Sequence, residues 1–287
     1  MSWLPIICIV LAMIFVQSGA SLAKQLFPLV GAAGTTTLRL FFSALFVNLY
    51  FKSWRHFPHR KNWSLIFGYG ASLGLMNLFF YFAIRHIPLG LAVAFEFVGP
   101  FSVAILYSRK KSDFFWIVLA VFGLYLLTPI LRTNMHISWV GVGYALIAGF
   151  FWALYIIFGN KVSQHISSGE AVSYGLICAA LIAAPLGLVR HGASLFEFNT
   201  VLMGAAVAVL SSALPYSLEM VALQRLPKTV FSILMSVEPA FAAISGFLFL
   251  HEKLRMIQIL GIVFVIAASV GITFSSQRDI LKIEDNT

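Results

Sequence analysis

Four ionisable side chains, Arg39, Glu96, Glu219 and Glu238, lie inside long apolar stretches. A charge at the centre of a membrane helix costs about 2.5–3.5 kcal/mol even on lenient insertion scales, so such residues face a bundle interior and bind or carry something. A carboxylate held there can receive an ammonium group or exchange protons with water. Glu238 is followed at once by Pro239, and Pro100 stands four residues after Glu96. Proline cannot donate to the carbonyl four residues back, so Pro239 frees the Met235 carbonyl and Pro100 frees that of Glu96. Broken helices with free carbonyls near the bilayer midplane are where transporters hold substrates and ions. The plainer reading, a kink with each Glu paired to a neighbouring donor, is disfavoured for Glu96 and Glu238 by the cost of burial.

Two readings of Glu219 stay open: pairing with Arg225 near the headgroups, or membership of a polar face with Ser212 and Tyr216 at i, i+4, i+7. Arg39 reads as the ion-pair partner of a buried carboxylate in preference to a charge at the outer interface. Further polar rows at helical spacing are Gln17, Ser21 and Lys24, then Trp152, Tyr155 and Gly159, with Asn77 and Tyr81 as a pair. Helix-to-helix hydrogen bonding explains any one member; the signal lies in the set.

The elements that position these residues are membrane-crossing helices. Of 287 residues 60% are hydrophobic and 10% charged, with a mean hydropathy of +0.94, more apolar surface than a globular domain of this length can hide. Runs of the roughly 20 residues needed to cross a bilayer fall at Leu4–Ala23, Gly34–Phe51, Ser64–Ile84, Leu89–Tyr107, Phe114–Leu131, Ser138–Gly159, Gly169–Val189, Thr200–Leu223, Thr229–Leu250 and Met256–Phe274. The first lacks a preceding Lys or Arg and is long enough to span, so it reads as a retained helix and not a signal peptide. Exits of the even-numbered runs carry 12 Lys and Arg and exits of the odd-numbered runs 6. Basic residues stay cytoplasmic, which puts both termini in the cytosol. The fifth, seventh and tenth runs carry almost nothing ionisable and are expected to face lipid or a partner subunit, with Gly261, Ala267, Ala268 and Gly271 permitting close packing.

The composition also excludes several classes. Cys8 and Cys178 lie in apolar stretches and offer neither a disulfide framework nor a zinc site, and no histidine pair has ligand spacing inside an apolar segment, so no metal or other cofactor is expected. The net charge of +9 belongs to loops between apolar runs and forms no basic stripe for nucleic acid.

The chain also matches itself at an offset of 139 residues. Ser72–Ile105 laid on Ser211–Ile244 without gaps gives 8 identities in 34 positions, among them Pro88 with Pro227 and Pro100 with Pro239. Five runs separate the copies. Five is odd, so the halves are expected to be inverted, as in many secondary transporters. The expected fold is therefore all-α and integral to the membrane: ten transmembrane helices in two inverted five-helix repeats, residues 1–137 and 138–287, the second ending in a short cytoplasmic tail, 275–287.

These segments resemble the EamA-type branch of the drug/metabolite transporter superfamily, and within it the threonine/homoserine branch. The matching stretches are GASLAKQLFPLVGA at 19–32, Leu38-Arg39-Leu40, SLGLMN at 72–77, Glu96 to Pro100, FWIVLAVFGL at 115–124, SSALPYSLEMVAL at 211–223 and LMSVEPAFAAISGFLFLHEKL at 234–254. His251 stands where superfamily members often have glycine. The resemblance implies a non-enzymatic exporter of small amino acids in the bacterial inner membrane. It also implies a substrate cavity between the halves drawing on Gln17, Asn77, Tyr81, Glu96, Trp152, Tyr155, Tyr216 and Glu238. Candidates for coupling or gating are Glu96, Glu238, Glu219, Arg39, Pro100 and Pro239.

A zwitterion in such a cavity needs an anion for its ammonium and donors for its carboxylate. Glu96 or Glu238 can supply the first, and Tyr, Asn, Trp or freed backbone N–H groups the second. The partners expected are thus an amino acid, protons exchanged by a buried carboxyl, lipid, and a second copy through the fifth and tenth runs. The runner-up substrates are aromatic or sulfur-containing amino acids. A membrane enzyme acting on lipid-linked substrates would need an interfacial His or Asp cluster, and a structural subunit would have no use for glutamates at a broken repeat.

Overall fold

In lipid every backbone donor and acceptor has to be satisfied within its own segment, which leaves helices as the economical way to build from sequences this apolar. The computed structural model describes residues 3–55, 57–107, 113–127, 138–215, 218, 222 and 237–284, and among these it contains helices and turns but no strand. Four helices are long and apolar enough to cross a membrane, and five shorter apolar helices accompany them. The chain is a multi-pass membrane protein.

Helix α1 (Leu4–Phe51) is continuous except at Val30 and Gly31, whose backbone leaves helical geometry, Gly31 at φ 57°. Straight, its 48 residues would reach roughly 72 Å, more than twice a bilayer core of about 30 Å. It does not stay straight. Gly19 packs directly on Ser211, and Arg39 Nη2 donates to the carbonyl of that same serine at 3.0 Å. A straight helix would hold those two positions roughly 30 Å apart, beyond an arginine's reach, so the arms fold back on each other at Gly31. The first two expected runs are thus joined by a two-residue turn, with Pro28 just ahead of it.

Helix α2 (Trp63–His86) follows. The fourth expected run is broken into α3 (Leu89–Glu96) and α4 (Val98–Tyr107) at Phe97, just before Pro100. The freed Glu96 carbonyl lies against Gly149, and Gly99 against the Gly149 carbonyl, so backbones touch where any side chain would separate them. Then come α5 (Asp113–Leu127), α6 (Trp139–Ser163), α7 (Ser168–His191) and α8 (Phe198–Ala208), which passes into a π-helical turn over Val209–Ala213. Helix α9 (Glu238–Leu250) starts from a turn at Val237, and α10 (Met256–Glu284) continues ten residues past the expected end at Phe274.

Helix α7 packs on α1 and α2, with Leu176, Ala179 and Ala183 fully buried because its alanines let it lie close to both, while Ile177, Leu181, Leu188 and Val189 stay exposed, as the expected lipid-facing side requires. Helices α5 and α10 pack on each other, Gly123 against the Gly261 carbonyl and Gly271 against the Trp116 ring. The small residues of α10 are therefore used within the chain, while Phe115, Val118, Phe122, Leu260 and Val263 remain exposed.

The helix ends sort into two sets. Gly31 meets the His191 ring, and Lys24 pairs with Glu252, which also accepts from the Leu89 N–H at 2.8 Å. At the opposite end Ser53 donates to Ser173 at 2.7 Å, and the Tyr174 hydroxyl donates to the Ser53 carbonyl at 3.0 Å.

Candidate functional site

The polar row of the first arm of α1 meets a matching row on and just beyond α9. Gln17 Nε2 donates to Glu238 Oε1 at 2.9 Å, Ser21 and Ser245 share a hydrogen bond of 2.9 Å, and Lys24 pairs with Glu252. Residues at i, i+4 and i+7 on one helix therefore face residues spaced by seven on the other, the register of two helices packed side by side. Glu238 is buried in the first turn of α9, at the helix N-terminus whose dipole suits a negative charge. Its Oε2 and the Gln17 Oε1 are buried without a partner.

Glu96 is buried at the last residue of α3. Its carbonyl lies against Gly149 of α6. Arg39 is buried on the second arm of α1. It donates to the Tyr81 hydroxyl at 3.2 Å and to the Ser211 carbonyl at 3.0 Å, and its guanidinium lies 5.3 Å from the Tyr81 ring centre. Tyr81 in turn packs on Phe27. Among the described residues Arg39 makes no ion pair: the single one there is Lys24–Glu252.

Of the residues expected at the site, Gln17 bonds Glu238 and Arg39 bonds Tyr81, the two pairs linked through Ser211, which accepts from Arg39 and packs on Gly19 of the Gln17 arm, while Glu96 is buried at the end of α3. Asn77 is buried but its amide donates back to the Leu73 carbonyl of its own helix at 2.8 Å. Trp152 meets Phe97 edge-on at the helix break, and Tyr155 stacks on Tyr69 with ring centres 4.9 Å apart. Pro100 and Pro239 each follow a helix interruption, at Phe97 and Val237. Tyr216 and Glu219 lie outside the described residues. Sequence reasoning missed Ser211, Ser245 and Glu252 as partners; the seven-residue spacing of Glu238, Ser245 and Glu252 was the signal that would have found the last two. No group of three His, Cys, Asp or Glu side chains among the described residues could hold a metal ion.

Comparison with known proteins matches this arrangement to a family. Residues 139–274 match the EamA-like transporter family. The chain is 49% identical over 279 residues to the threonine/homoserine exporter RhtA of Salmonella typhimurium strain LT2, covering 96% of this chain and 94% of that protein. It belongs to the EamA-like transporters. The RhtA protein of Escherichia coli K12 is 48% identical over the same shares, and a probable amino-acid metabolite efflux pump of Escherichia coli K12 is 25% identical over 70% of this chain and 74% of its own. A solved crystal structure shares the fold at a TM-score of 0.62, with 11% identity, covering 94% of this chain and 98% of the other. As an EamA-like transporter the chain moves a solute and performs no catalysis.

Proposed function

We propose that this chain exports threonine, homoserine or related small amino acids across the bacterial inner membrane by alternating access. The observation that carries this reading is the 49% identity to a threonine/homoserine exporter over 96% of the chain. The buried polar group supports it, since an amino acid brings one ammonium and one carboxylate and the site holds unsatisfied acceptors for the first. Glu238 with Gln17, assisted by Glu96, receives the ammonium. Tyr81 and the aromatic side chains at the Phe97 break close around the rest. Tyr216, Asn77, Trp152 and Tyr155 line the route in this reading, and Glu219 contributes to coupling.

The scaffold proposed is ten crossings in two inverted halves, residues 1–137 and 138–287, with both termini cytoplasmic. Three features support it: the repeated Pro100 and Pro239, each preceded by a helix interruption; the tight turn at Gly31 that splits α1 into two arms; and the two sets of helix ends. Exits of the first, third, seventh and ninth runs share one end, and those of the second and sixth the other, as alternate crossings require. Exposed apolar faces of α5 and α10 meet lipid or a second copy. Proton exchange at Glu96 or Glu238 drives export.

Efflux of labelled threonine from proteoliposomes, with and without an imposed pH gradient, tests both parts. Absence of threonine efflux removes the substrate assignment, and equal rates with and without the gradient remove the proton. Bulkier aromatic or sulfur-containing amino acids are the second reading, favoured by the rings of Phe97 and Trp152 beside Glu96; competition in the same vesicles decides between them.

A further inference from the structure

Arg39 carries a permanent charge in a nearly closed environment, 6% exposed, yet no carboxylate stands within ion-pair distance of it among the described residues. The expected structural ion pair is not seen among the described residues, and Glu219 lies outside them. Two of its five N–H donors are used, one on Tyr81 and one on the Ser211 carbonyl, and neither partner carries a negative charge. Among the described residues its Nε is buried without a partner, as are the hydroxyl oxygens of Ser211, whose carbonyl it bonds, and of Ser212. Leaving a buried cation uncompensated is costly, and a guanidinium with adjacent free donors is built to hold a planar anion through two parallel hydrogen bonds. The Ser211 whose carbonyl accepts from Arg39 packs on Gly19, two residues along α1 from Gln17, the donor to Glu238, so the cation and that acid belong to one neighbourhood, with the cation on the α2 and α8 side and Glu238 on the α9 side.

We propose that Arg39 is the carboxylate-binding residue of the transport site, with Ser211 and Ser212 as auxiliary donors, and that it selects substrates bearing a free α-carboxylate. This rests on the amino-acid export reading, and it replaces the neutral side chains and freed backbone N–H groups as holders of the carboxylate. Tyr81 orients the guanidinium from below, through its hydroxyl and its ring face.

The test is displacement of labelled threonine from the purified full-length protein in detergent by threonine, threonine methyl ester, threoninamide and N-acetylthreonine. In the unsubstituted protein the ester and amide, which lack the negative charge, are expected to displace at least tenfold more weakly than threonine. N-acetylthreonine, which lacks the positive one, is weak as well. In Arg39→Gln, threonine affinity falls tenfold or more and its advantage over the ester and amide disappears, while rejection of N-acetylthreonine, which depends on the acids, persists. Arg39→Lys keeps part of the advantage. A purely structural arginine would instead lower affinity for all four compounds together, or not at all, and either result overturns the proposal. Where Arg39→Gln does not fold, judged by gel filtration and helical circular dichroism, Arg39→Lys and the unsubstituted protein still decide: an unsubstituted protein that treats ester and acid alike sinks the idea. Failure of the unsubstituted protein to bind threonine counts against the substrate assignment alone, and the same acid, ester and amide series is then run with the amino acid that is transported.

Discussion

Glu238 receives one donor, from Gln17, and keeps a second carboxylate oxygen unsatisfied in the protein interior. A buried acceptor left open costs on the order of 1–3 kcal/mol, so a side chain that retains one is poised for a ligand that completes it. Replacing Glu238 by Gln, or Glu96 by Gln, preserves size and removes the charge that an ammonium needs. Each substitution is expected to cut threonine export at least tenfold, measured as lost resistance of cells to toxic threonine or homoserine. Full resistance in both variants would transfer the binding role to the neutral polar side chains. That these acids are held inside the bundle was legible from their cost in a membrane, and Gln17, Ser21 and Lys24 were legible as one face. Their partners were not, because Glu238 lies 221 residues away and no local rule sets which way a distant helix is rotated.

At the scale of the elements, two backbone positions control how the broken helices fit. Gly99 and Gly149 bring α4 and α6 together with nothing between their main chains, so Gly99→Ala has to force two backbones apart. Overpacking of that kind costs typically 1–3 kcal/mol, and a clear fall in thermal midpoint in detergent is expected; an unchanged midpoint would show that α4 shifts freely. His251 ends α9 in the left-handed conformation at φ 55°, the conformation for which glycine, expected at this position from the family resemblance, has no steric penalty. A non-glycine residue pays roughly 1–2 kcal/mol for that conformation, offset in part by the extra freedom glycine brings to the unfolded chain. His251→Gly is therefore expected to raise the thermal midpoint slightly, and a marked drop would mean the imidazole makes a contact worth more than the strain. Breaks at Pro100 and Pro239 could be placed from proline chemistry alone. The break at Gly31 could not, since a helical reading cannot tell a long continuous helix from two arms folded back.

For the molecule as a whole, alternating access requires the ends joined by Lys24, Glu252 and the Leu89 N–H to part once per cycle. A Lys24→Cys, Glu252→Cys double variant is expected to lose export when oxidised and regain it with dithiothreitol; export that survives a formed disulfide would place the moving parts elsewhere. Orientation is a separate prediction. Arg55→Cys and Glu197→Cys occupy exposed positions at opposite ends in the proposed scaffold, and the native Cys8 is buried and Cys178 half-buried. A membrane-impermeant maleimide applied to spheroplasts is expected to label position 197 and to reach position 55 only after permeabilisation; labelling of both from outside would break the alternation of crossings.

Membrane residence, the helical class, the hinge prolines and the identity of the costly buried acids followed from the sequence by itself, because each rests on local physics: transfer free energy, hydrogen-bond satisfaction within one segment, and the missing N–H of proline. The tertiary structure decided which residues meet. It turned the three-residue row of α1 into a ladder to α9, packed one side of α7 on α1 and α2, and set Arg39 against Tyr81 and Ser211. Those outcomes depend on helix rotation and on close approach at glycines, which are set by all neighbours together and leave no mark within any one segment.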